Sequence, residues 1–445
     1  MITAQHLLRQ TLRAAVASIP PCSRRSGGNI MGRHILWGIP GGPIYGGFAL
    51  TVALAALPGI ASAQGLAHEP RIIGRAIDFA TRTIGDGTDT KNGVYVELSN
   101  LPTGSGWISA GPGYRQWLFD DRAFVEASTA VSWRAYKMAQ ARFEFPHLIR
   151  SRLAIGSQVR WQDLTQVTYF GEGPDSLDTD RSEYRLKSSN ISGHAIVYAR
   201  QWLSIGGRLG WLDRPSVLQP SGTFERGNPA TEDVFPNDPV FALAAQPSFA
   251  YGETWFTADT RDQRGHPTRG GVYRAAWVHY TDRDGGNFGF DRAETEAAHF
   301  VPLLQSRLVL AVHGWFVATG TNEGGTVPFY LASTLGGHNT IRAYTDYRFH
   351  DRNLLMLNLE SRLALMRHID VVLFADAGNV APRVADLNID KRAYGFGIRL
   401  HAQKSTFARI DLAHGAEGWN LLFRMNDPLH LNRLVRRTAA IPFVP

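Results

Sequence analysis

The sequence predicts an all-β protein: a transmembrane antiparallel β-barrel of 16 strands, preceded by a short amphipathic helix. Between residues 105 and 426, successive segments of about ten residues alternate apolar or aromatic side chains with polar ones, the period that indicates strands. Their length matches the roughly 9–11 residues with which a tilted strand crosses hydrocarbon, and many begin or end in Tyr, Trp or Phe, as interfacial girdles do. Because lipid cannot satisfy backbone hydrogen bonds, we expect the sheet to close into a ring.

The N-terminal residues 1–63 have the features of a targeting segment. They contain five Arg and no Asp, Glu or Lys. An apolar stretch, Phe48–Leu57, leads to the small-residue sequence Ala61–Ala63, which is the order found in secretory signal peptides. The apolar run is shorter than the roughly 20 residues of a membrane-spanning helix. We therefore expect cleavage that leaves Gln64 as the first residue of the mature protein.

The charge and the cysteine content of the chain argue against several classes of function. The whole chain has 46 basic and 39 acidic residues, but five of the basic ones lie in the targeting segment, so the mature chain is almost neutral. Nucleic-acid binding normally shows a clustered basic patch, and we expect no nucleic-acid partner. The single cysteine, Cys22, also lies in the targeting segment. A mature chain without thiols has no disulfide or thiolate metal site, and we expect neither a metal nor another cofactor.

Residues 64–104 are predicted to form a short periplasmic segment, in which the pattern changes from strand to helix. Within Pro70–Thr83, apolar side chains recur at helical spacing and charged ones occupy the other face. The apolar face comprises Ile72, Ile73, Ala76, Ile77 and Ala80. We expect this helix to lie on the inner leaflet of the outer membrane or against the barrel mouth.

The predicted strands are connected alternately by short and long segments. Outer-membrane barrels have short periplasmic turns and longer external loops, so connection length gives the orientation. Short turns are expected near 302–305, 367–369 and 402–405, and long connections near 215–246, 319–352 and 381–391. Eight strands follow Gly270, and six to eight precede Asp259. The last strand then ends in the periplasm, followed by a periplasmic tail at residues 427–445.

Several short motifs occur in a characteristic order between Tyr169 and the end of the chain. They are Tyr169–Gly173, Asp259–Asp262 followed by Pro267 and Gly270, Leu335–Gly337 followed by Ile341–Tyr344, Asn358–Arg362, and Phe374–Gly378. Together they resemble the BamA/TamA-type bacterial surface-antigen barrels. The chain is identified as a member without POTRA domains, because only about 40 residues separate Gln64 from the first predicted strand. It departs from the family motif at Ala343, where the family usually has Gly.

One pair of predicted strands places two carboxylates close together. By alternation Glu360 lies on the same face as Asn358 and Arg362, while Asp376 shares a face with Phe374 on the next strand. Like charges in a partly desolvated lumen need a cation, and a guanidinium suits two carboxylates better than an ammonium. The resemblance implies that the long loop folds into the lumen and supplies Arg342. The predicted loop-docking cluster is Arg342, Tyr344, Glu360, Phe374, Asp376 and Gly378.

The resemblance also implies a function. Barrels of this type assist the insertion or translocation of polypeptides at the bacterial outer membrane, so we expect polypeptide clients, with membrane lipid and lipopolysaccharide around the barrel. The alternative is a passive or gated pore for small solutes. No GxxxxGK[ST], HExxH or GxSxG motif occurs, and the 15 histidines are scattered. Because nothing pairs a nucleophile with a base, we expect the protein not to be an enzyme.

Overall fold

The computed structural model describes residues 69–71, 75, 92–98, 101, 104–106, 109–222, 227–402, 406–424, 429, 431 and 434. The targeting segment and most of the predicted amphipathic helix at 70–83 lie outside the described residues. Among the described residues, no helix is long and apolar enough to cross a membrane.

Sixteen antiparallel strands form one sheet, in which each strand pairs with its neighbours in chain order. This confirms the predicted strand number, with eight strands before the connection at 260–269 and eight after it. The strands are β1 (Gly93–Leu98), β2 (Ser109–Leu118), β3 (Ala123–Ser132), β4 (Lys137–Leu148), β5 (Leu153–Tyr169), β6 (Ser182–Arg200), β7 (Leu203–Leu218), β8 (Phe249–Asp259), β9 (Gly270–Asp282), β10 (Phe290–Leu303), β11 (Leu308–Thr321), β14 (Asn353–Met366), β15 (Ile369–Ala381), β16 (Lys391–His401), β17 (Thr406–Gly415) and β18 (Gly418–Arg424).

Two further strands, β12 (Ser333–Leu335) and β13 (Phe349–Asp351), pair with each other inside the long connection between β11 and β14. The other long connections also lie where they were predicted. One contains the single helical turn α1 (Thr231–Val234), between β7 and β8. Short turns join the strands at the opposite end, as the orientation requires.

The first strand lies outside the predicted barrel boundary. We expected the barrel to start at residue 105, but β1 begins at Gly93, within the predicted periplasmic segment. The strand has six residues, of which Val94 and Val96 are exposed on the outer face. A pattern of only three alternations is too short to be distinguished from a loop by periodicity.

Side chains on each strand alternate between the membrane and the lumen. In β16, Phe396 and Ile398 are exposed on the outside, whereas Arg399 is 1% exposed on the inside. This follows from strand geometry, since successive side chains point to opposite faces of a sheet. The outer face is therefore apolar, and the lumen receives most of the charged groups.

The first and last strands, β1 and β18, form the two ends of the sheet. β1 has six residues and β18 has seven, which makes them the shortest strands of the sheet. Within the described residues, no backbone ladder joins β1 to β18. A side-chain contact spans this region, because a guanidinium nitrogen of Arg424 donates to the carbonyl of Gly106. The sheet thus has a seam between its first and last strands.

The segment after β18 differs from the predicted periplasmic tail. Its described residues Leu429, Leu431 and Leu434 are buried among side chains of β9, β10 and β11. The arginines of this segment suggested a solvated tail, but leucine side chains lose contact with water when they meet an apolar wall. The wall that they meet faces the lumen.

Candidate functional site

The connection at 322–352 folds back into the barrel and brings one arginine to the lumenal wall. Its tight turn depends on Gly336 and Gly337, whose φ angles of 114° and 98° favour glycine. The Gly337 amide donates to the Tyr344 carbonyl at 3.1 Å, and the Gly336 amide donates to the Thr340 hydroxyl at 2.8 Å. These bonds hold the intervening residues, Arg342 among them, in a compact hairpin.

Arg342 lies between the two carboxylates identified in the sequence. Its Nε and Nη2 donate to the two oxygens of Asp376 at 2.8 and 2.6 Å, and its Nη1 donates to Glu360 Oε1 at 2.5 Å. The backbone amide of Arg342 adds a bond of 3.1 Å to Asp376. The guanidinium carbon also lies 3.5 Å from the ring centre of Phe374. A planar donor fork over an aromatic face is the arrangement in which Arg cannot be exchanged for Lys.

The cluster is closed to solvent. Arg342 is 2% exposed, Glu360 1% and Asp376 2%. Burial alone lowers the pKa of Arg342, but the charges of Asp376 and Glu360 outweigh it and raise that pKa above its ordinary value. Arg342 is therefore a cation at every physiological pH. Its charge offsets the cost of burying the carboxylates, and each group depends on the others.

The charge network extends along β16 and β17. Arg399 donates to Glu360 at 3.2 Å and also to Asp411, while Arg409 lies 3.6 Å from Asp411. With Arg342 and Asp376, the network contains three guanidinium groups and three carboxylates. The cations and anions of this buried site are therefore equal in number and lie next to one another.

Two of the predicted site residues lie beside the charge network. Tyr344 packs against Phe349, with ring centres 5.3 Å apart, in an apolar cluster at the base of the loop. Gly378 allows close strand approach, because a Cβ atom there would lie 2.5 Å from the Leu355 carbonyl oxygen. Neither side chain contributes a charge, and both shape the wall that receives the loop.

Sequence reasoning missed several polar partners of the loop. Asn358 donates to Asp376 and to the Thr340 carbonyl, both at 2.8 Å, and Asn420 donates to the Arg342 carbonyl at 3.0 Å. Alternation had placed these groups on polar faces. Alternation shows which face of a strand carries a side chain. It does not show how far along the barrel axis that side chain lies, and this position decides whether it contacts the loop.

A second set of contacts fixes the outer part of the loop. Arg348 donates to Glu417 Oε1 at 2.6 Å and to the Ser176 hydroxyl at 2.9 Å, and its guanidinium carbon lies 4.7 Å from the ring centre of Phe170. The Gly173 amide donates to the His350 carbonyl at 2.8 Å. The segment Tyr169–Gly173 therefore contacts the docked loop and helps to hold it in place.

Two buried histidines in the loop make its docking sensitive to pH. Burial, together with the charge of Arg424, lowers the pKa of His338 to about 4, and burial lowers the pKa of His350 to about 3. An exposed histidine titrates near 6.5. The released loop therefore binds protons that the docked loop cannot, so docking is at full strength above pH 6.5 and weakens as the pH falls from 6.5 towards 4.

We predict that the loop becomes more accessible to protease between pH 7 and pH 5. Each histidine costs about 2 kcal/mol of docking at pH 5, because one pKa unit corresponds to about 1.4 kcal/mol. Asp351 opposes this by about 1 kcal/mol, because burial raises its pKa to about 6. His350→Phe keeps a ring and should flatten the pH profile. An identical profile in His350→Phe would contradict the assignment to this histidine.

One group near the periplasmic end has the residue types of a metal site. Candidate ligand atoms of His266, Asp370 and His401 lie within 4.8 Å of one another. However, both imidazoles already contact Asp370, at 2.8 and 3.2 Å, and the two rings lie face to face, 3.7 Å apart with an interplanar angle of 7°. Nitrogen lone pairs of parallel rings do not converge on one ion. We interpret these three side chains as a structural contact that joins the turn at 260–269 to the ends of β15 and β16.

The fold and this site define a sixteen-stranded transmembrane barrel with a long loop docked inside its lumen. Residues 248–418 match the family model described as the Omp85 superfamily domain. This match confirms the resemblance indicated by the motifs. The matched region contains Arg342, Glu360 and Asp376. The protein is a bacterial outer-membrane protein.

The fold is similar to that of a solved structure. BamA from Haemophilus ducreyi lacking POTRA domains 1–3 aligns over 79% of this chain and 76% of its own, with a TM-score of 0.55 and 14% identity. CdiB from Acinetobacter baumannii aligns over 75% of this chain and 58% of its own (TM-score 0.45, 10% identity). CdiB from Escherichia coli aligns over 85% and 72% (TM-score 0.43, 12% identity). Comparison with curated protein sequences gave no significant match.

Proposed function

We propose that this barrel assists the insertion or translocation of polypeptides at the outer membrane, without acting as an enzyme. The observation that carries the proposal is the match to the Omp85 domain together with the docked loop, in which a buried Arg342 joins β14 and β15. Such a loop occupies part of the lumen. The clients are polypeptides, and the surroundings are lipid and lipopolysaccharide.

The seam between β1 and β18 supports this proposal. An unpaired strand edge presents backbone N–H and C=O groups that can pair with another chain. In a membrane such groups must be satisfied within protein, so an incoming strand would be stabilised there. The described parts of these two strands have six and seven residues and form no backbone ladder with each other.

A pore for small solutes is the second candidate. The lumen is lined by charged groups, as in solute channels, but the docked loop and its balanced charges fill part of it. The two functions differ in which part of the barrel the substrate meets. A polypeptide client would contact the seam, whereas a solute would pass along the lumenal wall.

Crosslinking and conductance together distinguish these functions. A photoreactive residue at Val96 or Leu421, next to the seam, should crosslink to nascent outer-membrane or secreted polypeptides in cells. The same probe at Leu209, on the outer face of β7, serves as the control and should crosslink to far fewer. Steady solute-selective conductance in planar bilayers, with equal crosslinking at the seam and at Leu209, would favour the pore.

A further inference from the structure

The lumenal wall is apolar at the periplasmic ends of three neighbouring strands. Inward positions of β10 and β11 carry charged or polar groups near the middle of the barrel, such as Glu296 and His313. Towards the periplasm the inward residues change character. The apolar patch consists of Val272, Ala298, Phe300, Val309 and Ala311. Exposing such a patch to a water-filled lumen is unfavourable, so it needs a cover.

Three leucines from beyond the last strand provide this cover. Leu429 is 6% exposed, Leu431 1% and Leu434 3%, and all three belong to the cluster formed with the patch. Arg274 Nη1, on the wall of β9, donates to the Leu434 carbonyl at 3.5 Å. These three leucines therefore lie in the lumen at its periplasmic end.

The patch has the chemistry of a peptide-binding surface. Its contacts with the leucines are apolar and therefore do not depend on direction or on a particular sequence. Two arginines beside it contact backbone carbonyls: Arg274 donates to Leu434, and Arg362, which lies 4.9 Å from the ring centre of Phe300, donates to Pro267 at 3.1 Å. A wall that contacts leucine side chains and backbone carbonyls can accept another chain with similarly spaced leucines.

We propose that this patch binds leucine-bearing segments of polypeptides that enter from the periplasm, and that the chain's own Leu429, Leu431 and Leu434 act there as a displaceable plug. This partner rests on the proposed function, because only a barrel that handles polypeptides would meet such segments. The plug itself does not depend on it. While Leu431 and Leu434 occupy the patch, the mouth is closed to an incoming chain, and a client must displace them.

Cysteine pairs test where the plug lies. Residues 64–445 contain no cysteine, so introduced thiols are the only ones in a chain cleaved before Gln64. In the full-length barrel, Ala298→Cys with Leu434→Cys should react with a short cleavable bis-thiol crosslinker. Ala413→Cys with Leu434→Cys is the matched control, because Ala413 is buried in a different cluster on β17, and it should not react. Failure of the first pair, or equal reaction of both, would overturn the proposal.

Channel recordings test what the plug does. With the crosslinker in place the bilayer current should stay low, and cleavage should restore fluctuating openings. Leu431→Asp combined with Leu434→Asp should raise the open fraction about tenfold or more, since burial of one leucine is worth at least a factor of about ten. A synthetic peptide of residues 426–437 should then restore the block, and the same peptide with both leucines changed to Asp should not.

The outcomes separate the plug from the proposed function. Unchanged currents in a heat-modifiable Leu431→Asp, Leu434→Asp barrel would show that the leucines do not close the mouth. If the plug crosslinks and controls the current, but the added peptide does not block the Leu431→Asp, Leu434→Asp barrel, the patch is not a binding site for other polypeptides. A barrel that passes these tests but never crosslinks to clients at the seam would overturn the proposed function and leave the plug standing.

Discussion

Arg342→Ala is expected to release the long loop from the lumen. The substitution leaves Glu360 and Asp376 buried without their shared cation, and removal of one partner of a buried charge pair typically costs about 3–5 kcal/mol. Arg399 still reaches Glu360 at 3.2 Å, so we expect a loss near 3 kcal/mol. Protease access to residues 322–352 and the heat-modifiability of the folded barrel measure the effect. Arg383→Ala, in an exposed pair with Asp386, is the control and should change neither.

Arg342→Lys should rescue the loop poorly. An ammonium is a compact charge without the planar fork that spans Asp376 and Glu360, and it cannot stack in the same way on Phe374. Glu360→Gln and Asp376→Asn should each loosen the loop, and their combinations with Arg342→Ala should be clearly less than additive, because all three changes break one network. Strictly additive effects, or equal cleavage of the loop in all variants, would show that Arg342 is an ordinary solvated residue.

The regular part of the fold was predictable because backbone geometry imposes it. A strand that crosses a membrane must have about ten residues and must alternate its faces, so β4 and β16 could be recognised from the sequence. The same alternation placed Glu360 and Asp376 on lumenal faces of neighbouring strands. β1 was missed because six residues show too few alternations. The strand that was missed is also one of the two strands at the seam.

The contacts between side chains of different strands could not be predicted, because they depend on the positions of those side chains along the barrel axis. Alternation shows that Arg399 and Asp411 face inward, but the stagger between strands decides that they meet Glu360. The apolar patch at the periplasmic mouth reverses the rule that lumenal faces are polar. For that reason Leu431 and Leu434, which cover it, could not be recognised from the strand pattern.

Gly395→Ala is expected to prevent correct assembly of the strands that carry the site. A Cβ atom at this position of β16 would lie 2.1 Å from the Leu412 carbonyl oxygen, 3.0 Å from the Ala413 Cα and 2.6 Å from Phe374 Cζ. Two of these neighbours are backbone atoms, so β17 would have to move. Overpacking of this kind costs about 1–3 kcal/mol, and displacement of Phe374 would add the loss of the surface on which Arg342 stacks.

The heat-modifiable fraction and the protease resistance of the loop should both fall in Gly395→Ala. Gly320→Ala is the matched control, because a Cβ at this position of β11 meets nothing within 4 Å, and it should behave as the wild type. Phe374→Leu added to Gly395→Ala removes the ring contact but not the carbonyl, so it should not restore assembly. If Gly395→Ala proves as benign as Gly320→Ala, β16 and β17 can separate without cost, and the close strand contact is not what positions Phe374 beneath Arg342.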